Sequence, residues 1–128
     1  MKKIALFILT ATLSAAAMAD WVLLGGNDVQ ENYVDPGSIR KKGNNVTTLN
    51  MYHFKTVREY DGNEYRSSVL LYEFDCAKGQ SRGLESIFYA ESKGAGAIVD
   101  SWSTPHAWKA VPPATPLDSF MNFACKNN

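Results

Sequence analysis

The chain has 128 residues, with thirteen basic and thirteen acidic side chains for a formal net charge of +0, and 45% of it is hydrophobic. That length holds one small domain. The even charge removes the electrostatic case for a nucleic-acid or anionic-membrane partner, and the apolar content excludes disorder.

Lys2 and Lys3 open the chain as a positive n-region. Ile4 to Leu13 is an apolar core broken only by Thr10 and Thr12, and Ala17 and Ala19 stand in the A-x-A places of a peptidase site. The core is shorter than the ~20 residues that a spanning helix needs. Residues 1–19 therefore read as a signal peptide cut between Ala19 and Asp20, leaving residues 20–128 as a single exported domain. That domain carries eleven basic and thirteen acidic residues, a net charge of −2. Asp20 stands where bacterial lipid attachment would need a cysteine, so no membrane anchor is expected.

From Asp20 onward, short strands alternate with turn residues, a pattern that favours a β-rich antiparallel domain over βαβ units. Trp21–Leu24 is an apolar run closed by Gly25-Gly26-Asn27-Asp28, and Asn32–Val34 is stopped by Asp35-Pro36-Gly37. Ser38–Arg40 leads to a second charged turn, Lys41–Asn45. Val46–Tyr60 is a long strand rich in β-branched and aromatic residues. Asp61-Gly62 is a hairpin signal, and Tyr65–Cys76 returns as the antiparallel partner. Within that partner Leu70, Tyr72, Phe74 and Cys76 share one face, and Val69, Leu71, Glu73 and Asp75 the other. Ser81–Ala90 and Ala97–Thr104 follow, separated by the turn Lys93–Gly96. Pro105–Pro116 holds four of the five prolines and reads as an extended, exposed connector. Thr115 or Asp118 then caps a short helix with Leu117, Phe120, Met121 and Ala124 on its apolar face.

The expected fold is thus α+β and β-rich: one antiparallel sheet of about six strands in a meander, with a short C-terminal helix. Cys76 and Cys125 are the two cysteines. In an oxidising compartment such a pair bridges, and one intramolecular pairing exists. Cys76 lies on the Leu70/Tyr72/Phe74 face and Cys125 on the helix's apolar face, so the bridge is expected to tether helix to sheet.

No nucleophile elbow, zinc-protease helix, P-loop or dinucleotide fingerprint is present. The expectation is a non-enzymatic protein with no catalytic, cofactor-binding or metal residues. Glu73 and Asp75 share a strand face as a carboxylate pair, but such residues more often sit beside Lys or Arg. His53 reads as a partly buried sheet residue, Gly94-Ala95-Gly96 as a turn, and Asn45-Val46-Thr47 as a chance sequon. What remains is a set of aromatics beyond the evident needs of a core: Tyr52, Tyr60, Tyr65, Tyr89, Trp102 and Trp108. Tyr60 and Tyr65 flank the Asp61-Gly62-Asn63 tip, and His106 and Trp108 lie in the proline-rich connector. These four residues are the candidate binding surface, because recognition resides in loops on a rigid scaffold.

Trp21–Gly25, Tyr33–Arg40, Leu71–Cys76, Trp108–Pro113 and Cys125 together resemble the bacterial surface-adhesin E family over essentially the whole exported domain. The resemblance implies a six-stranded sheet with a disulfide-tethered terminal helix. It further implies a protein ligand, with extracellular-matrix proteins such as vitronectin and laminin, or plasminogen, as partners, and residence at the cell surface, in the periplasm or outside the cell. The alternative expectation is a periplasmic envelope component serving as an accessory or structural subunit. The named member of that family is lipid-anchored, and this chain has Asp20 where the lipidated cysteine would stand, which weakens the case for surface anchoring.

Overall fold

The computed structural model describes residues 20–128. The signal peptide read over residues 1–19, and with it the Ala19 side of the cut, lies outside the described residues. Among the described residues eight strands, β1 (Val22–Gly26), β2 (Gln30–Val34), β3 (Arg40–Lys42), β4 (Asn45–Tyr60), β5 (Asn63–Asp75), β6 (Gln80–Tyr89), β7 (Ile98–Trp102) and β8 (Lys109–Ala110), precede one α-helix, α1 (Pro116–Lys126). Six strands run in the order β1-β2-β4-β5-β6-β7, each antiparallel to its neighbour. The two short strands lengthen the flanks. β3 pairs β4 beyond the end of β2, and β8 pairs β6 beyond the end of β7.

The meander and the long β4–β5 hairpin match the sequence pattern, and Asp61 (φ 50) with Gly62 (φ 82) form its tip in the left-handed conformations of a type I′ turn. β8 departs from the expected bare connector. Prolines 105, 112 and 113 bracket it, but Lys109 and Ala110 keep their N–H groups and pair with Ser81 and Gln80. Val111 N–H then donates to Gly79 O at 3.0 Å, so the connector is zipped onto the sheet edge.

Strand alternation gives the sheet two apolar faces. On the first, Val46, Tyr52, Tyr72 and Phe74 meet Leu117, Phe120, Met121 and Ala124 of α1, with Phe120 and Ala124 fully buried. On the second, Tyr33, Met51, Val69, Ile87 and Tyr89 cluster with Trp21 and Leu49. The 3-10 turn Ser92–Gly94 folds over this second face. Gly94, at φ 73, lies where a Cβ would come 3.7 Å from Val69 and 3.8 Å from Met51, and its N–H donates to Ser67 Oγ at 2.9 Å. The helix begins as expected. Thr115 Oγ1 accepts Asp118 N–H at 3.2 Å, Pro116 fills the first helical position, and the Asp118 carboxylate accepts Ala114 N–H at 3.0 Å.

The Cys76–Cys125 disulfide is formed, with Cα atoms 5.9 Å apart. An eleven-residue helix is marginal alone, and the 49-residue separation it closes gives a loop-entropy contribution of about 4 kcal/mol. Replacing both cysteines by serine should therefore lower stability by about 3–4 kcal/mol. Hydrogen exchange should show the helix amides losing protection before those of β4 and β5. Equal loss of protection in helix and strands would show that the bridge does not act on the helix.

Candidate functional site

The β4–β5 hairpin extends past the sheet as an arm, in which β4 residues 55–60 are exposed. Pairing breaks between His53↔Ser67 and Arg58↔Tyr65. Four β4 residues oppose the single residue Arg66 there, so the arm bends over the first face. Its tip is held where Asn63 Nδ2 donates to Asp100 Oδ2 at 3.2 Å. The bend brings Tyr60 flat onto Phe88, with centroids 4.4 Å apart and planes at 12°, and sets Tyr65 edge-on to Phe88 at 4.8 Å and to Phe54 at 5.7 Å.

These contacts continue inward. Phe54 stacks with Tyr52 at 6.0 Å, Tyr52 meets Phe120 at 5.5 Å, Phe120 meets Tyr72 at 6.2 Å, and Tyr72 meets Phe74 at 5.7 Å. Eight rings thus run from the hairpin tip to the tethered helix. Burial pushes the Tyr52, Tyr72 and Tyr65 hydroxyls above the ordinary phenol range, so they stay neutral donors, and the Tyr52 and Tyr72 hydroxyls sit 3.3 Å apart. The helix covers the Tyr72–Phe74 end of the row. The arm end lies beyond it, with Tyr60 38% exposed and the Arg58 guanidinium over Phe54 at 4.6 Å.

His106 and Trp108 do not join this surface, nor each other. His106 N–H donates to Gly83 O at 2.9 Å, and its ring stacks on Trp102 at 3.9 Å. Trp102 lies over Gly83 on the first face, where a Cβ would come within 2.8 Å of its ring. Trp108 lies on the second face, over the Arg82 guanidinium at 4.8 Å. Arg82 in turn bonds Glu73 Oε1, at 2.9 Å from Nε and 2.8 Å from its terminal nitrogen. Of the four expected residues, the structure brings together Tyr60 and Tyr65 and sets His106 and Trp108 on opposite faces of the other sheet flank.

Glu73 is buried, and Asn45 Nδ2 donates to its second oxygen at 3.0 Å. Burial alone would raise its pKa, but the hydrogen bonds from Asn45 and Arg82, with the Arg82 and Lys42 charges, outweigh it and hold the carboxyl below the usual value. Asp75 accepts Lys78 N–H instead. The two carboxylates thus serve separate local bonds and not a shared acid–base pair. On the same face the Tyr33 hydroxyl, pushed up to about 12 first by burial, donates to Glu31 at 2.8 Å. Among the described residues no group of three His, Cys, Asp or Glu side chains is placed to hold a metal ion, and no helix is long and apolar enough to cross a membrane.

Sequence reasoning missed one feature of this region. Gln30, Tyr52, Phe54, Arg58, Pro112, Thr115, Pro116 and Leu117 line a solvent-open cleft between the arm root and the start of α1. Tyr52 and Phe54 are two apart on one strand and signalled a shared face. The proline wall was hidden because the docking of the connector is a tertiary event.

The family model of surface-adhesin protein E matches residues 21–126, and the chain belongs to that family. Among solved structures it is similar to Haemophilus influenzae protein E, with 19% identity, 84% of each chain covered and a TM-score of 0.63. A second crystal form of that protein gives 18% identity, 81% of this chain, 92% of the other and a TM-score of 0.62. Protein E from non-typeable Haemophilus influenzae gives 18%, 83%, 75% and 0.60. At these identities the likeness establishes the fold. No curated protein matches the chain.

The ring contacts order the effects of truncation. Tyr65→Ala loses two ring partners from a half-buried position and should cost about 2–3 kcal/mol, whereas Tyr60→Ala loses one and should cost about 1 kcal/mol, read by urea denaturation. The reverse order would remove Tyr65 from the packed row. The ion pair carries a pH signature. Glu73 has a lowered folded pKa, so the unfolded chain binds its proton first. Its stabilisation is present above the ordinary value of 4.5 and is lost as pH falls through the lower folded value. Glu73→Gln should cost about 2 kcal/mol at neutral pH, because Arg82 remains partly solvated, and should flatten the acid limb of stability against pH. An unchanged acid limb would place that dependence on other carboxylates.

Proposed function

Taking membership of the surface-adhesin protein E family as the premise, we propose that the chain is an exported, non-enzymatic binding module that recognises a protein ligand through the arm. The observation that carries this reading is the uncovered end of the aromatic row. Tyr60 is stacked on Phe88 and Tyr65 sits edge-on to it, beside the exposed Arg58, on an arm pinned at Asn63–Asp100. Aromatic and arginine side chains on a rigid support are the side chains that dominate protein interfaces. Matrix proteins such as vitronectin and laminin, and plasminogen, are the ligands to test first. Trp108, half-buried and stacked on Arg82, is a separate contact point, with His106 on the opposite face.

A second reading, an accessory subunit of a periplasmic assembly, is favoured by the edge strand β1. It presents Val22 and Leu23 at 42% and 53% exposure with no charged residue in its span. Such an edge pairs readily with another chain.

Biotinylation of intact cells separates the two readings, since an adhesin must be reachable from outside. On the adhesin reading, Tyr60→Ala should weaken binding to an immobilised matrix protein by about 1–2 kcal/mol, roughly five- to thirtyfold. Urea denaturation identifies any part of that loss due to unfolding. Labelling only after the outer membrane is opened, together with unchanged binding by Tyr60→Ala, would withdraw the adhesin reading in favour of the subunit.

A further inference from the structure

We infer that the cleft between the arm root and the start of α1 is a subsite for an acidic peptide segment, taking an apolar or aromatic side chain with an adjoining carboxylate. The inference rests on the protein-ligand reading above and names the chemistry that one part of the surface selects.

The floor is aromatic. Tyr52 and Phe54 stack with each other at 6.0 Å, while Pro112, Pro116 and Leu117 form the wall. Such a lining favours a flat or branched apolar group. Its polar members are few. Gln30 is already engaged, with Nε2 donating to Asn32 Oδ1 at 2.7 Å, and Thr115 Oγ1 donates to Pro112 O at 2.8 Å. Arg58 is the one charged residue of the lining, and no carboxylate lines it. Its guanidinium rests on Phe54. Among the described residues the only ion pair is Arg82–Glu73, so the Arg58 donors have no carboxylate partner within the fold. With its Cζ 4.6 Å from the Phe54 ring centroid and its side chain exposed, the guanidinium retains N–H donors that can bind a carboxylate. The N-terminal turn of α1, which supplies Pro116 and Leu117, is already capped by Thr115 and carries the Asp118 carboxylate, so Arg58 alone supplies the positive charge.

Size and openness select the class of occupant. The cleft encloses about 370 Å³, near the lower end of the range of about 300–1,000 Å³ for ligand pockets. That is room for one or two side chains. Because it is open to solvent, it cannot enclose the 70–90% or more of surface by which a free small molecule is held, a figure of general pocket surveys (about that range). A side chain presented by a larger partner needs no such enclosure. Phe54 supplies that continuity: one ring forms the cleft floor and meets Tyr65 of the arm, so a partner seated on the arm brings its next residues over the cleft.

The test is a ¹⁵N heteronuclear titration of the exported protein with three probes: the peptides acetyl-Ser-Asp-Phe-Ser-amide and acetyl-Ser-Asn-Phe-Ser-amide, and 3-phenylpropionate. The expected result is shifts at the Phe54 and Leu117 amides and the Arg58 side chain. The Asp peptide should bind roughly fivefold tighter than the Asn peptide, the scale of an exposed charge pair. Arg58→Gln should abolish that difference while leaving residual binding to the aromatic floor. Leu117→Ala, at the wall, should weaken both peptides alike. Equal affinity for the two peptides, a preference that survives Arg58→Gln, shifts elsewhere on the protein, or tighter binding of 3-phenylpropionate than of the Asp peptide would each overturn the inference. Matrix-protein binding that depends on Tyr60, without any of these cleft shifts, discards the cleft alone. Cleft shifts without arm-dependent binding of a matrix protein discard the arm reading alone.

Discussion

A single-layered sheet has two faces to cover, and this chain covers the first with one eleven-residue helix held by a disulfide. The Cys76–Cys125 bridge joins the end of β5 to the last turn of α1. Without it, the helix would depend on Leu117, Phe120, Met121 and Ala124 alone, too little to order a segment that is marginal in isolation. The second face is covered more cheaply in chain length. The loop after β6 folds back, and Gly94 lets its backbone lie against Met51 and Val69. A Cβ there would find ordinary contact distances, so it is the left-handed φ of 73° that favours glycine.

This economy explains why the arm is structured at all. The helix is too short to cover the whole first face, so the apolar residues beyond it must cover one another. They do so by the bend in β4, which folds Tyr60 and Tyr65 onto Phe88. The same rings therefore satisfy a packing need and remain partly open to solvent. The opposite flank follows a similar logic with polar groups: Trp108 shields Arg82, and Arg82 neutralises a carboxylate that would be costly to bury unpaired.

What was legible in the sequence was local. Strict alternation in Leu70–Cys76 identified the helix-facing side, Asp61-Gly62 fixed the long hairpin, and Thr115 or Asp118 marked the helix start, of which the structure selects Thr115. Each of these depends on a period or a turn conformation set by neighbouring residues. What was not legible depended on residues distant in the chain. Nothing in Phe54–Val57 announces a bend, since no glycine or proline is there; the break in pairing follows from docking against Phe88 and Asp100. Lys109 and Ala110 look like part of a proline connector until Gln80 and Ser81 are placed beside them. His106 and Trp108 are two apart, but the strap passes over the sheet edge between Gly83 and Arg82, so two adjoining positions on β6 send them to opposite faces. Exposure of the aromatics was likewise undecided by sequence, because the same tyrosine at a hairpin tip is free on a straight arm and packed on a bent one.

The continuous row of rings has a consequence for how such a surface would bind. An isolated two-stranded arm is marginally stable in water, and a mobile one would lose conformational entropy on docking. Here the arm is joined through Tyr65, Phe54 and Tyr52 to Phe120 of the helix, and the helix through Cys125 to the sheet. Ordering is thus completed during folding, and a partner binding there would meet side chains already held by ring contacts. The disulfide and the arm tip lie at opposite ends of that row. The bridge would act on the proposed binding surface through packing and not through contact, since the covalent tether that secures the helix also helps to hold the rings in place.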